Sequence, residues 1–201
     1  MNSMTNKKII LASQSPRRRD LLKAAGLSFE IRANPVDEEN YPATLTVDDV
    51  AEFLAVQKAG AIRDTLKPDE VAIGADSVVI LDDRILDKPA NREEAIQHLQ
   101  ALSGRTHLVM TGICLQYQRQ QWTRAARTEV TFASLTPDEI TWYVDQCNPY
   151  DKAGGYGIQE WIGLCRVDRI NGTYANVMGL PVHLVYDGLQ QFRLWSQTDQ
   201  G

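Results

Sequence analysis

Four stretches of this sequence carry side chains suited to chemistry. The first is L-A-S-Q-S-P-R-R-R-D-L-L, Leu11 to Leu22, where an apolar run stops at Ser13 and three arginines follow a Ser-Pro pair. Positive charge at a helix start opposes the helix dipole, so it asks for an acidic partner or a bound anion. A strand running into a helix N-terminus offers free backbone N–H groups, and arginine forks add paired donors to phosphate oxygens. Solvated arginines partly paired with Asp20 are the competing reading, and the two stand level. No Gly-x-x-x-x-Gly-Lys is present, so this is not a Walker loop.

The second is Lys58, on an apolar stripe between Leu54 and Ile62. Such a lysine snorkels to the edge or points into a cleft towards negative charge. The third is G-A-D-S-V-V, Gly74 to Val79, in which Asp76 interrupts an apolar strand. A buried carboxylate must be paired, protonated or metal-bound. Lys88, in Asp87-Lys88-Pro89, follows the hairpin return, and a plain Asp76–Lys88 ion pair is one outcome. The fourth is Y-D-K-A-G-G-Y-G-I-Q-E, Tyr150 to Glu160. Its glycines allow close backbone approach to a ligand, and Gln159 can donate and accept at a base edge. A flexible surface loop is the alternative. With the acidic loop Asp37-Glu38-Glu39, the set suits a polyphosphate bridged by a divalent metal.

The elements that must position these groups follow from pattern. Lys8–Ser13 reads as a strand, with Ser15 as N-cap and Pro16 as first residue of a helix closed by Gly26. Phe29–Ala33 reads as a strand and Asn34–Thr46 as a loop. Val47–Leu66 has helical spacing. Val71–Leu81 is a strand with a short return through Ile85-Leu86. Asn91 and Thr136 open helices with capping boxes. Leu108–Leu115 and Trp122–Phe132 read as antiparallel strands, 147–162 as loop, Cys165–Ile170 as a strand and Pro181–Leu194 as a last helix. This order implies an α/β fold with a partly antiparallel sheet.

The chain has 201 residues with formal net charge −5, which argues against coating nucleic acid. Three scattered cysteines, Cys114, Cys147 and Cys165, lack C-x-x-C spacing and read as free buried thiols in a reducing compartment. The N-terminus lacks the apolar core of a signal peptide, and no stretch approaches a membrane span. The expectation is a cytoplasmic protein without nucleic-acid or membrane partners, one unit over 1–201 with 1–7 and 195–201 as tails.

Taken together, the motifs resemble the Maf family of nucleotide pyrophosphatases. The resemblance rests on L-A-S-Q-S-P-R-R, V-D-E at Val36–Glu38, Q-K-A around Lys58, G-A-D-S-V-V, D-K-P around Lys88, L-S-G-R-T-H from Leu102, D-K-A-G-G-Y-G-I-Q and V-M-G-L-P, spanning roughly 8 to 192. It implies an α/β fold with a central twisted mixed sheet flanked by helices, and two lobes with a cleft. It implies cleavage of nucleoside triphosphates to monophosphate and pyrophosphate with a divalent cation (Mg, Mn or Co). By resemblance, Asp76 is the general base, Lys58 and Lys88 act at the phosphates with Arg18, and Glu38 assists metal and water. Glu38 and Asp76 are the implied metal ligands. Ser13, Arg17, Arg18, Ser77 and Gln159 are the implied substrate-binding residues, and the Arg-Arg pair with Y-G-I-Q resembles the dTTP/UTP branch. A homodimer is implied, and so is an association with inhibition of septum formation through a division partner. Modified nucleotides are a further substrate class to weigh. Ser77 stands where that branch more often has Thr, and Glu160 where many members have Gly.

Overall fold

The structure is a computed structural model that describes residues 2–4, 7–38 and 40–197. Its elements in chain order are β1 (Asn2–Met4), β2 (Lys8–Leu11), α1 (Pro16–Ala24), β3 (Phe29–Ile31), α2 (Val50–Gly60), β4 (Glu70–Leu81), β5 (Arg84–Leu86), α3 (Arg92–Leu102), β6 (Thr106–Tyr117), β7 (Gln120–Phe132), α4 (Pro137–Cys147), α5 (Trp161–Cys165), β8 (Val167–Asn171), α6 (Tyr174–Met178), α7 (Val182–Gln191) and β9 (Trp195–Gln197). A seven-stranded mixed sheet runs β3-β2-β4-β6-β7-β8, with β5 beside β4. β2 is parallel to β3 and β4, and the remaining pairs in this sheet are antiparallel. The mixed α/β sheet expected from the sequence is therefore present. β1 and β9, within the segments expected to be tails, pair with each other, while 1, 5, 6 and 198–201 lie outside the described residues.

The central strand β4 is apolar almost throughout, so it can be buried on both faces. Alternation then sorts its side chains. Val71, Ile73 and Ala75 join Leu11, Leu22, Val185 and Leu189 in one core, which packs α1 and α7 on the sheet. Val78 and Ile80 join Val50, Ala51 and Leu54 in another, which seats α2 on the opposite face. A third core joins α3 and α4 to β6 and β7 through Leu99, Val109, Phe132 and Tyr143.

On one side β4 is paired with β6 from Val71 to Ile80. On the other it pairs with β2 only through Ile73, and with β5 only from Val79. Between those limits the edge of β4 is open, and Asp76 and Ser77 stand in that opening. Successive residues of a strand point to opposite faces, so at a gap in the sheet the two can flank one cavity from both sides.

The seat of α2 depends on two missing side chains. A Cβ on Gly74 would stand 2.2 Å from the Ala55 carbonyl oxygen, and one on Gly112 would stand 2.3 Å from that of Ala51. Both obstacles are helix backbone, which cannot swing aside, so the helix lies closer to the sheet than any side chain would permit. Gly112→Ala is expected to cost about 3 kcal/mol or more through overpacking. A urea midpoint equal to that of the unaltered chain would show that this contact does not set the helix position.

Several local readings are corrected. The helix read as Val47–Leu66 spans only Val50–Gly60: residues 47–49 form a turn, and after the weak helix former Gly60 the chain continues into a 3₁₀ turn at Arg63–Thr65. Ser15 occupies the N-cap of α1 without a side-chain cap bond, and the Ser15 N–H instead donates to Ser13 Oγ at 3.2 Å. The stretch 147–162, read as loop, contains two 3₁₀ turns and the start of α5. Cys165 ends that helix rather than opening β8. All three cysteines are free, but only Cys114 is fully buried, and Cys165 is exposed.

Candidate active site

The opening beside β4 widens into a cleft of about 580 Å³. Arg17, Arg18, Lys58, Lys88 and Lys152 line it, against the carboxylates of Glu38, Asp76 and Asp151. Five cations against three anions leave an excess of positive charge in a chain of net charge −5, so the cleft suits a polyanion.

Four of these groups form one chain of ion pairs. Lys58 Nζ, reaching down from α2, donates to Asp76 Oδ1 at 2.5 Å and lies 2.6 Å from Glu38 Oε1. Glu38 Oε2 accepts from Lys88 Nζ at 2.5 Å. Side-chain exposure rises along the chain, from 9% at Asp76 and 12% at Lys58 to 35% at Glu38 and 51% at Lys88. Asp76 is thus the floor and Lys88 the rim. Partial burial alone would raise the pKa of Glu38, but its bonds to Lys58 and Lys88 outweigh that and lower it to about 2. Of the two outcomes for Lys58, the cleft is the one found. The Asp76–Lys88 pair does not form, because Glu38 from the preceding loop stands between Lys88 and the strand.

The other wall is organised by Arg18, which is 8% exposed. Its Nε donates to the Gly179 carbonyl at 2.8 Å, Nη1 to Ser13 Oγ at 3.1 Å and Nη2 to Ser77 Oγ at 3.3 Å. The carbonyl of Gly179 is turned inward by a left-handed backbone (φ 118°) that caps α6. Ser77 in turn bonds the buried Thr111 hydroxyl at 2.9 Å, which donates to the Asn176 carbonyl at 3.0 Å. Burial lowers the pKa of Arg18, and nearby Asp76 partly offsets this; an arginine stays charged regardless. Each η nitrogen keeps a second N–H, so the side chain can brace the wall and still meet an anion.

Arg17 does not stand free. It donates from Nη1 to Asp151 Oδ2 at 2.7 Å and from Nη2 to the Asp151 carbonyl at 3.2 Å. Asp151 also accepts from Lys152 Nζ at 2.8 Å. Gln159 lines the cleft, and its Oε1 is buried with no hydrogen-bond partner among the described residues.

These motifs, now in one cleft, match a known sequence pattern. The profile of the family described as Maf-like protein matches residues 8–192. The chain belongs to the Maf family. Three relatives named dTTP/UTP pyrophosphatase are similar over nearly their whole length. That of Phocaeicola vulgatus is 47% identical over 191 residues, 95% of this chain and 99% of its own. That of Porphyromonas gingivalis is 46% identical over 194 residues, 96% and 98%. That of Bacteroides fragilis is 45% identical over 184 residues, 92% and 95%. A solved HAM1 protein from Coxiella burnetii overlaps 63% of this chain and 73% of its own at 20% identity and TM-score 0.43, too distant to carry inference.

The residues that the resemblance assigns to catalysis, substrate or metal all line the same cleft in this Maf protein: Ser13, Arg17, Arg18, Glu38, Lys58, Asp76, Ser77, Lys88 and Gln159; Asp37 and Glu160 do not line it. Glu39, in the same acidic loop, lies outside the described residues. Sequence reasoning missed Asp151, Lys152, Thr111 and Gly179. Lys152 is 7% exposed; it stands in the quoted stretch Tyr150–Glu160, two residues before Gly154, but no role was assigned to it there. Thr111 carried no signal, because its partner lies on a separate strand.

Proposed function

We infer that the chain is a nucleoside triphosphate pyrophosphatase that hydrolyses the α–β phosphoanhydride of dTTP and UTP, releasing the monophosphate and pyrophosphate. The observation that carries this reading is the Asp76 carboxylate at the floor of a cationic cleft, held by Lys58. The pyrimidine triphosphates come from the names of the relatives.

In this mechanism Arg18, Lys58 and Lys88 share the phosphate oxygens. A rigid cationic wall matches the charge of the reacting phosphates without reorganising during the reaction. Asp76 holds a water and takes its proton as the oxygen attacks the α-phosphorus, and the P–O bond to pyrophosphate breaks. Lys58, on a helix seated backbone to backbone on the sheet, keeps Asp76 aimed. Glu38 ties the two lysines together until phosphates displace it.

The donor set fits a divalent cation. Glu38 and Asp76 both reach one ammonium, so their oxygens converge on one point. No group of three or more His, Cys, Asp or Glu stands together among the described residues. Magnesium-like ions take one or two carboxylates and draw their remaining oxygens from phosphates and water. Glu38 and Asp76 would hold such an ion, which when bound supplies charge neutralisation at the phosphates. A cytoplasmic location and a homodimer belong to the same reading, and free thiols suit a reducing compartment. No helix among the described residues is long and apolar enough to cross a membrane.

The test is pyrophosphate release from a panel of nucleoside triphosphates with Mg²⁺, Mn²⁺ or Co²⁺. dTTP and UTP should be turned over fastest. Release from none would favour a nucleotide-sensing protein acting on septum formation through a division partner, a role with little need for the Asp76–Lys58 pair. A modified base strongly outcompeting both would assign a house-cleaning role.

A further inference from the structure

With Arg18, Lys58 and Lys88 set against the phosphates, two cleft cations remain, Arg17 and Lys152. They share one partner. Asp151 Oδ2 accepts from Arg17 Nη1 at 2.7 Å, and Asp151 Oδ1 accepts from Lys152 Nζ at 2.8 Å. Each carboxylate oxygen thus serves one cation. Glu38 joins Lys58 and Lys88 in the same way, one oxygen to each. A phosphate offers a cation pair what these carboxylates offer, charged oxygens that accept from two donors at once.

The two cations are held firmly, and the carboxylate between them is not. Side-chain exposure is 9% at Lys152 and 20% at Arg17, but 57% at Asp151. Arg17 has a second anchor. Its Nη2 donates at 3.2 Å to the Asp151 main-chain carbonyl, which stays in place when the side chain turns. Lys152 has a second anchor in Glu160, whose Oε1 lies 3.1 Å from Nζ and whose Oε2 accepts from the hydroxyl of the fully buried Tyr143. Both cations therefore keep their positions if the Asp151 side chain swings into water.

Such a swing costs little. Partial burial alone would raise the pKa of Asp151, but the bonds from Lys152 and Arg17 outweigh that and lower it, so the carboxylate is ionised at neutral pH. Turned outward it is solvated by water, and the ion pairs it gives up are open to solvent and weak for that reason. A polyphosphate brings several negative charges where Asp151 brings one, so it wins the exchange.

We propose that Arg17 and Lys152 form a second phosphate-oxygen subsite of the cleft, with Asp151 as its placeholder. The carboxylate is a positioning residue: it holds both cations in the free protein and yields them to the polyphosphate chain. This rests on the reading of the site as a nucleoside triphosphate pyrophosphatase. The consequence lies in turnover. Pyrophosphate is highly charged and would linger on so cationic a wall. Asp151, returning to its two cations, competes with it and speeds its release.

The experiment measures the Kd of inorganic pyrophosphate by calorimetry, and kcat and KM for UTP, in the unaltered protein and in Asp151→Asn. The substitution keeps the shape and the main-chain carbonyl that anchors Arg17, and removes the competing charge. Both the Kd and the KM should fall about two- to fivefold, the worth of an exposed ion pair, without a rise in kcat. Added to Arg17→Ala, the same substitution should lower the Kd by less, because one of the two cations it frees is gone. Asp20→Asn removes a carboxylate near Arg17 in sequence but outside the lining of the cleft, and should leave the Kd unchanged. Asp151→Ser carries the test if Asp151→Asn does not fold. A rise in Kd and KM would make Asp151 a brace that the cations need, and overturns the inference. No change overturns it too, as does an equal fall in Asp20→Asn, which marks a general charge effect. Absence of pyrophosphate release from any nucleotide overturns the activity instead, and the calorimetry still decides the subsite.

Discussion

Asp76→Asn should abolish pyrophosphate release, by about 10³-fold or more, while leaving the fold intact. The substitution preserves shape and an acceptor oxygen for Lys58, which also keeps its contact with Glu38. What disappears is the charge and the ability to take a proton. General-base contributions are worth roughly 10² to 10⁴ in rate, and Asp76 also supplies one of two candidate metal-ligating carboxylates. Breaking a buried ion pair by removing one charge often destabilises strongly, but here Lys58 retains a second anion, so the melting temperature should change little. The checks are pyrophosphate release under saturating metal and a thermal melt of the same sample. Turnover near that of the unaltered protein would place the base elsewhere.

Arg18→Ala should cut hydrolysis by about 10² to 10³, whereas Arg19→Ala should be nearly silent. Arg18 reaches three partners at once: Ser13 after β2, Ser77 in the β4 opening and Gly179 at the end of α6. Loss of one positioned donor to a developing anion is worth roughly 10² to 10³. Truncation would also leave the Gly179 carbonyl without its arginine donor and loosen the wall. Arg18→Lys would restore a charge but not a planar fork reaching three directions, so it should recover little. Arg19, one residue on, lies outside the lining of the cleft. Kinetics on the two alanine variants side by side separate a site arginine from surface charge, and equal losses would refute the distinction.

Much of the site was legible because it rides on regular elements. Lys58 was conspicuous as a cation on an apolar stripe, and Asp76 as a charge in an apolar strand. Both departures from pattern proved to be each other's partners. Glu38 was different: its loop has no period, so the acidic run Asp37-Glu38-Glu39 marked the stretch and only the motif V-D-E singled out the residue. The pairing of Arg17 with Asp151 joins residues 134 apart in sequence, a distance that local pattern cannot span. Helices α5 and α6 escaped notice because five residues complete little more than one turn, too short to show a repeat. The extent of α2 was overstated for the opposite reason: the apolar spacing carries past Gly60 although the helix does not.

The seat of α2 on Gly74 and Gly112 divides the molecule's capacity for change. The groups assigned to bond cleavage hang from a helix and a strand whose separation is set by main chain meeting main chain. Few substitutions there would be neutral. Gln159 and Glu160 sit instead on a glycine-bearing turn held by side-chain contacts, which can be exchanged one at a time. A lineage built on this frame could drift from one nucleobase to another while its reaction stayed the same.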